Sequence, residues 1–190
     1  MTRRFSPVAK APAKPVLKAD NAAARLARRY EDTPAVKLLE HVADLGDQPP
    51  MRILCGAVIG IGLLAGNRRL ARTGVAMLAA HTLATFAKDQ VKERVDRTRP
   101  RSAAKPGKDA KPRPGSDTSK EETSFPSGHS AGAAAVARAY PDHAGKTYAA
   151  AGLLALAQVP RCAHYPSDVG AGLAIGVAAE AITDAVLKRT

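Results

Sequence analysis

TSFPSGHSAGAAAVARAY, residues 123–140, begins an alanine-rich apolar run with a polar elbow. Pro126, Ser127, Gly128 and His129 stand together at its mouth. Ser127 reads as a helix N-cap, which puts Gly128 and His129 in the first helical turn. Free N–H groups and the positive end of the helix dipole make such a turn a ready anion site, with the histidine beside the anion. Taken alone, the tetrapeptide reads first as a capping serine next to a packed histidine.

The run behind the elbow is typical of the chain. Hydrophobic residues make up 45% and aromatics only 4%, with alanine prominent. Small side chains suit closely packed helices, in water or in lipid. Alternating β-branched and aromatic residues are absent, so strands are not expected. The fold class expected is all-α: a bundle of about five core helices, membrane-embedded, preceded by amphipathic N-terminal helices.

Three regions follow from the pattern. Residues 1–16 are basic and proline-punctuated and read as a disordered tail. Residues 17–45 carry Leu26, Tyr30, Val36, Leu39 and Val42 at helical spacing, broken near Thr33–Pro34, and read as two amphipathic helices on the core or on a membrane surface. GDQPP at 46–50 is expected to stop them. Residues 46–190 form the main helical domain, with a solvated polar loop at 101–124 that is too polar to enter a core.

Four apolar stretches lie in that domain: Ile53–Asn67, Thr73–Ala87, Thr147–Pro160 and Val169–Ala179. All are shorter than the roughly 17-residue lower limit for a spanning helix. Flanking Arg52, Arg68, Arg72 and Lys88 can extend two of them by snorkelling; a soluble bundle is the alternative. Topology conflicts with the positive-inside rule, because the basic N-terminus and Arg68, Arg69 and Arg72 flank a single run. Shallow or re-entrant helices, or a soluble bundle, remove the conflict.

The net charge of +12 raises nucleic acid, anionic lipid and phosphorylated substrates as partners. Few aromatics and no zinc-finger or RNP-like pattern argue against nucleic acid. Cys55 and Cys162 read as buried free thiols, not a disulfide framework. The N-terminus lacks the apolar stretch of a signal peptide, which argues against export.

Two further segments carry chemistry. In KERVDRTRP, residues 92–100, Lys92 and Arg99 are two turns apart and share a face if the helix continues to Pro100. Lysine offers a point charge and arginine a planar fork, a pairing that suits phosphate, although a charged helix end explains the segment as well. In VPRCAHYPSDVGAG, residues 159–172, Pro166 starts a helix and Asp168 in its first turn is close enough to reach back to His164. A carboxylate on one imidazole nitrogen sets the tautomer and strengthens the other nitrogen as nucleophile or base.

In order, Lys92-x6-Arg99-Pro100, then Pro126-Ser127-Gly128-His129, then Arg161 with His164-x3-Asp168 resembles the type 2 phosphatidic acid phosphatase superfamily. Bacterial acid phosphatases and vanadium haloperoxidases belong to the same group. The resemblance covers about residues 46–187 and implies a bundle whose loops gather the three motifs. It implies that His164 attacks phosphorus to form a phosphohistidine, with Asp168 orienting it. It implies that His129 protonates the leaving oxygen and then activates water. Lys92, Arg99 and Arg161 would hold the phosphoryl oxygens with Ser127 and the Gly128 amide, and no metal or other cofactor is needed. Phosphoryl transfer is largely positioning and charge neutralisation, which this set can supply.

One departure stands out. The family places Ser-Arg with the arginine six residues before the histidine, where this chain has Ala157 and Gln158. Arg161, three residues later, is expected to replace that arginine. A metal site built from His129, His164 and Asp168 is an alternative without supporting spacing. His81 reads as a packed histidine, His41 and His143 as surface residues, and Glu180 and Asp184 as facing a polar cavity or solvent.

The function expected is a metal-independent phosphatase acting on a lipid phosphate or diphosphate at the cytoplasmic membrane of a bacterium. The alternatives are a soluble cytoplasmic acid phosphatase, a vanadate-dependent haloperoxidase using the same site, and a non-catalytic basic protein that binds a membrane surface or nucleic acid. Oligomeric state is not legible.

Overall fold

The structure, a computed structural model, describes residues 14–104, 110–137 and 144–189. Two N-terminal helices, α1 (Lys14–Arg28) and α2 (Pro34–Asp44), precede five core helices. These are α3 (Gln48–Leu64), α4 (Arg68–Lys92), α5 (Gly128–Ala137), α6 (Ala144–Leu156) and α7 (Pro166–Leu187). The expected all-α bundle is therefore the observed architecture. Residues 1–13 of the expected tail lie outside the described residues, and Lys14–Val16 already belong to α1.

Local chemistry sets the breaks. Thr33 caps α2, its Oγ1 accepting from the Val36 N–H at 3.4 Å, and Pro34 follows in the first turn. GDQPP does more than end α2. Asp47 is the N-cap residue of α3, and Pro49 and Pro50 occupy its first turn, where a missing N–H costs no helical bond.

Helices α4, α5 and α7 pack against one another, with α3 alongside α4 and α6 alongside α5. The centre is built from alanine: Ala80, Ala84, Ala135 and Ala179 form one buried cluster. Close approach of α7 to α5 needs glycine at two positions one turn apart. A Cβ on Gly172 would lie 2.4 Å from the Ser127 carbonyl oxygen, and one on Gly176 2.3 Å from that of Ala131. This contact brings the first turns of both helices to the same end, where the Ser127 N–H donates to the Asp168 carbonyl at 3.0 Å.

Large apolar side chains point outward. Helix α7 buries Gly172, Gly176, Ala179 and Thr183 but exposes Val177, Ile182 and Val186. Helix α3 buries Met51, Cys55 and Gly62 and exposes Ile53, Ile61 and Leu64. Among the described residues, α7 alone is long and apolar enough to cross a membrane, and α3 is apolar but 17 residues long.

The polar segment after α4 departs from expectation. Val95–Asp96 (β1) pairs antiparallel with Arg113–Pro114 (β2), and Arg97 bridges to Thr123. Glu122 and Ser124 are buried, so the segment is not a fully solvated loop. The buried Glu122 carboxylate is satisfied, accepting from Thr98 Oγ1 at 2.7 Å and from the exposed Arg113 at 2.9 Å. Residues 105–109 of the loop lie outside the described residues.

Candidate active site

The start of α3, the end of α4 and the starts of α5 and α7 meet at one end of the bundle. There they enclose a cavity of about 170 Å³. Its cations and imidazoles are Lys88, Lys92, Arg99, His129 and His164, joined by Asp47 from the α2–α3 connection. Segments up to 118 residues apart (His164 minus Gly46) thus share one small space.

Lys92 and Arg99 reach it by different routes. The helix expected to continue to Pro100 ends at Lys92, because Val95–Asp96 is drawn into its pairing with Arg113–Pro114. Arg99 is instead fixed by its backbone N–H on the Glu121 carbonyl at 2.8 Å and its Nε on the Lys120 carbonyl at 2.6 Å. Lys92 Nζ donates to the Thr123 carbonyl at 2.8 Å. Burial, then the nearby Arg99, pushes the Lys92 ammonium down to about 8, and burial also lowers Arg99. Two cations crowded in a small pocket are in a state that a bound anion relieves.

Ser127 behaves as the cap it was expected to be. Its Oγ accepts from the Ser130 N–H at 3.4 Å and bonds Ser130 Oγ at 2.9 Å. It is wholly buried and does not line the cavity, so its hydroxyl serves the helix end instead of an external phosphoryl oxygen. Gly128 does line the cavity, where a Cβ would lie 3.4 Å from Lys88 Cε. His129 Nε2 faces Asp47 Oδ1 at 3.0 Å. Burial drives His129 down to about 4, with Asp47 opposing and His164, Arg161 and Arg99 reinforcing the shift.

His164 is buried, and its Nδ1 lies 2.7 Å from the Ser124 carbonyl oxygen. That contact requires a proton on Nδ1 and leaves the Nε2 lone pair free. Asp168, expected to hold Nδ1, stands 3.8 Å away, beyond hydrogen-bond range. Its carboxylate accepts instead from Ser124 Oγ at 2.6 Å, the Tyr165 N–H at 2.8 Å and Arg97 at 2.5 Å. Asp168 therefore connects to His164 through Ser124, a correction to the direct pairing. Burial lowers the His164 pKa, with the Asp168 carboxylate opposing and Arg99 and Lys92 adding to the fall.

Arg97 was missed by sequence reading, as were Asp20, Asp47, Lys88 and Ser124. Arg97 is wholly buried, stacked 4.0 Å over the Tyr165 ring and bound to both Asp168 and Asp20. Only Lys88 had a legible signal, since it lies four residues before Lys92 on the same helix face.

Arg161 lies beside the cavity, not in its wall. With Arg99 it lines a neighbouring space of about 440 Å³, and its guanidinium meets Asp44 at 3.2 Å and Gln158 Oε1 at 3.4 Å. Gln158, in the family's arginine place, is wholly buried, and its carbonyl accepts from the His164 N–H at 3.2 Å.

The alternative metal set of His129, His164 and Asp168 does not assemble, because Asp168 is wholly buried outside the cavity with its oxygens held by Arg97, Ser124 and Tyr165. Asp44, Asp47 and His129 do present ligand atoms within 4.8 Å of one another, but both acids are exposed. His81 is packed beneath Gly132, although its buried Nδ1 has no hydrogen-bond partner among the described residues; His41 is exposed on α2, as expected, and His143 lies outside the described residues. Both cysteines are buried free thiols. Glu180 and Asp184 line a cavity of about 570 Å³ together with Arg68, Arg69 and Arg72 and with Ala76, Ala80 and Leu187.

The PAP2 superfamily model matches residues 69–189 of the chain. A solved structure with a similar fold is described as the first transmembrane PAP2-type phosphatidylglycerolphosphate phosphatase, from Bacillus subtilis. It is 21% identical, with a TM-score of 0.64, over 94% of this chain and 89% of that one. No curated protein matches the chain.

Proposed function

Because the chain belongs to the PAP2 superfamily, we propose that it hydrolyses the phosphate or diphosphate of a membrane lipid through a phosphohistidine, without a metal ion. One observation carries the reading: His129 and His164 line the same small cavity as Lys92 and Arg99. A phosphoryl group seated there is neutralised by Lys88, Lys92 and Arg99, with the Gly128 N–H at the start of α5 as a further donor.

The steps follow from the proton positions. His164 Nε2, unprotonated because Nδ1–H faces Ser124, attacks phosphorus; a P–N bond forms and the P–O bond to the lipid breaks. The departing oxygen takes a proton from His129. A substrate anion beside His129 supports the imidazolium that burial otherwise disfavours, and Asp47 acts in the same direction. Water then attacks the phosphohistidine, giving its proton to His129, and the P–N electron pair returns to His164. Arg161, one shell away, carries positive charge toward Arg99 and His129.

A lipid substrate and a membrane setting are supported by the outward apolar residues of α3 and α7. A soluble bundle would bury Val177, Ile182 and Val186 and expose smaller or polar residues; here the order is reversed. The fold of a transmembrane lipid phosphatase accords with this. We place the protein in the cytoplasmic membrane.

The test is phosphate release from lipid and water-soluble phosphates with EDTA present. Activity that persists in EDTA, prefers lipid and vanishes in His164→Ala is expected. Loss of all activity in EDTA would overturn the metal-free mechanism.

A further inference from the structure

Asp20 is a buried carboxylate on an N-terminal helix that lies outside the residues matched to the family, 69–189. It does not line the cavity, yet every polar contact it makes points toward the catalytic end. Its Oδ2 accepts from Arg97 Nη2 at 2.7 Å and from Ser167 Oγ at 2.6 Å, and its Oδ1 from the Ser167 N–H at 3.0 Å. Arg97 Nη1 in turn donates to Ser167 Oγ at 2.8 Å and to Asp168 Oδ1 at 2.5 Å. Asp168 holds Ser124 Oγ, and the Ser124 carbonyl holds His164 Nδ1. The relay is continuous: Asp20, Arg97, Asp168, Ser124, His164.

We infer that Asp20 is a positioning residue for His164, and that helix α1 is thereby part of the catalytic unit. The inference rests on the phosphatase reading above. Its physical basis is a charge count. One guanidinium is shared by two carboxylates in a site closed to water, so the group as a whole is net negative. Arg97 cannot fully neutralise Asp168 while it also serves Asp20, and Asp168 keeps a negative field on the imidazole 3.8 Å away.

The other charged groups around His164 are Lys88 and Lys92 from α4, Arg99 after β1 and His129 from α5, with Arg161 beyond His129. None of these is negative, and Asp47 meets His129 instead. With Asp20 neutralised, Arg97 belongs to Asp168 alone. The imidazole then loses basicity, its orientation loosens and nucleophilic attack slows.

The substitution that tests this is Asp20→Asn, which keeps shape and removes charge. The expected result is a fall in kcat of about 10-fold or more with KM within about 2-fold, the scale seen when outer partners of a reacting group are altered. The acid limb of kcat/KM should move to lower pH by roughly one unit. The His164 ring titration, read by 15N NMR, should move the same way. Arg28→Ala is the control: it removes the α1 hydrogen bond to the Pro100 carbonyl but leaves Asp20, Arg97 and Asp168 in place, so melting temperature falls while the acid limb stays.

An unchanged acid limb and an unchanged His164 titration in folded Asp20→Asn would overturn the inference and leave α1 a clasp only. Should that variant aggregate, Asp20→Asn/Arg97→Gln decides. Removing the pair together leaves Asp168 unopposed, and the limb is expected above the wild-type pH; no shift, or one toward lower pH, overturns the inference. A wild-type chain that releases no phosphate would refute the phosphatase reading, whereas the NMR titration would still report whether Asp20 reaches His164.

Discussion

Replacing Gly172 with alanine tests whether helix packing sets the catalytic geometry. The new Cβ would stand 2.4 Å from the Ser127 carbonyl oxygen, 3.0 Å from Ser130 Cβ and 3.3 Å from the Ala131 nitrogen. The nearest atom is backbone, so no side chain can swing aside, and relief requires α7 and α5 to part by about 1 Å to restore ordinary contact distances. Overpacking of this kind costs about 1–3 kcal/mol. The same shift acts on the 3.0 Å hydrogen bond from Ser127 to Asp168, and a misplacement of about 1 Å costs on the order of 100-fold in rate. Gly170, two residues away and exposed, has nothing within 4 Å of its Cβ position. Gly170→Ala should stabilise the helix by roughly 0.5–1 kcal/mol and leave turnover alone. Thermal melting in one set of lipid-mimetic conditions, with kcat and KM on the same samples, reads both effects. Equal stability and equal rates for the two variants would refute the packing argument.

Lys88→Ala should raise KM about 10-fold or more with a smaller loss in kcat, because it removes a cation from the cavity wall but neither imidazole; steady-state kinetics on one lipid phosphate checks this. Arg161→Ala should lower kcat/KM by about 10-fold, because its charge reaches Arg99 and His129 from outside the cavity wall. Gln158→Ala should lower melting temperature, since its side chain is wholly buried, while sparing most activity; equal, small effects on rate in both would contradict the substitution of one arginine position by another. His129 has a folded pKa of about 4 against an ordinary 6.5, so the unfolded chain binds the extra proton between those values. Stability is therefore fully present above pH 6.5 and declines as pH falls toward 4, by on the order of 3 kcal/mol for this group. Melting curves of His129→Gln should show a shallower decline over that window.

Composition and the three motifs made the bundle legible, because alanine-rich runs with glycine at close contacts leave few other folds. They also identified Lys92, Arg99, Gly128, His129 and His164 as residues that meet at one cavity. What failed were inferences from local spacing. A helix through Arg99 was expected from a seven-residue interval, but strand pairing with residues 113–114 diverts the chain after Lys92. Asp168 was paired directly with His164 from an i,i+4 spacing, whereas its oxygens turn to Arg97, Ser124 and Tyr165. Asp20 and Asp47 carried no local signal: an acid in an amphipathic helix and another in a proline turn gain meaning only when the fold lays them against Arg97 and His129. The polar loop misled because its Glu122 is buried once Thr98 and Arg113 satisfy the carboxylate.

The central claim is that one phosphoryl group passes to His164 in a pocket that His129 shares. Brief reaction with a lipid whose phosphate carries 32P, in EDTA, followed by denaturing quench and peptide mapping, tests it most directly. The account predicts an acid-labile, alkali-stable label on the peptide bearing His164, absent in His164→Ala and longer-lived in His129→Ala once formed. Full hydrolysis with no label on His164, or equal turnover in His164→Ala, would contradict it.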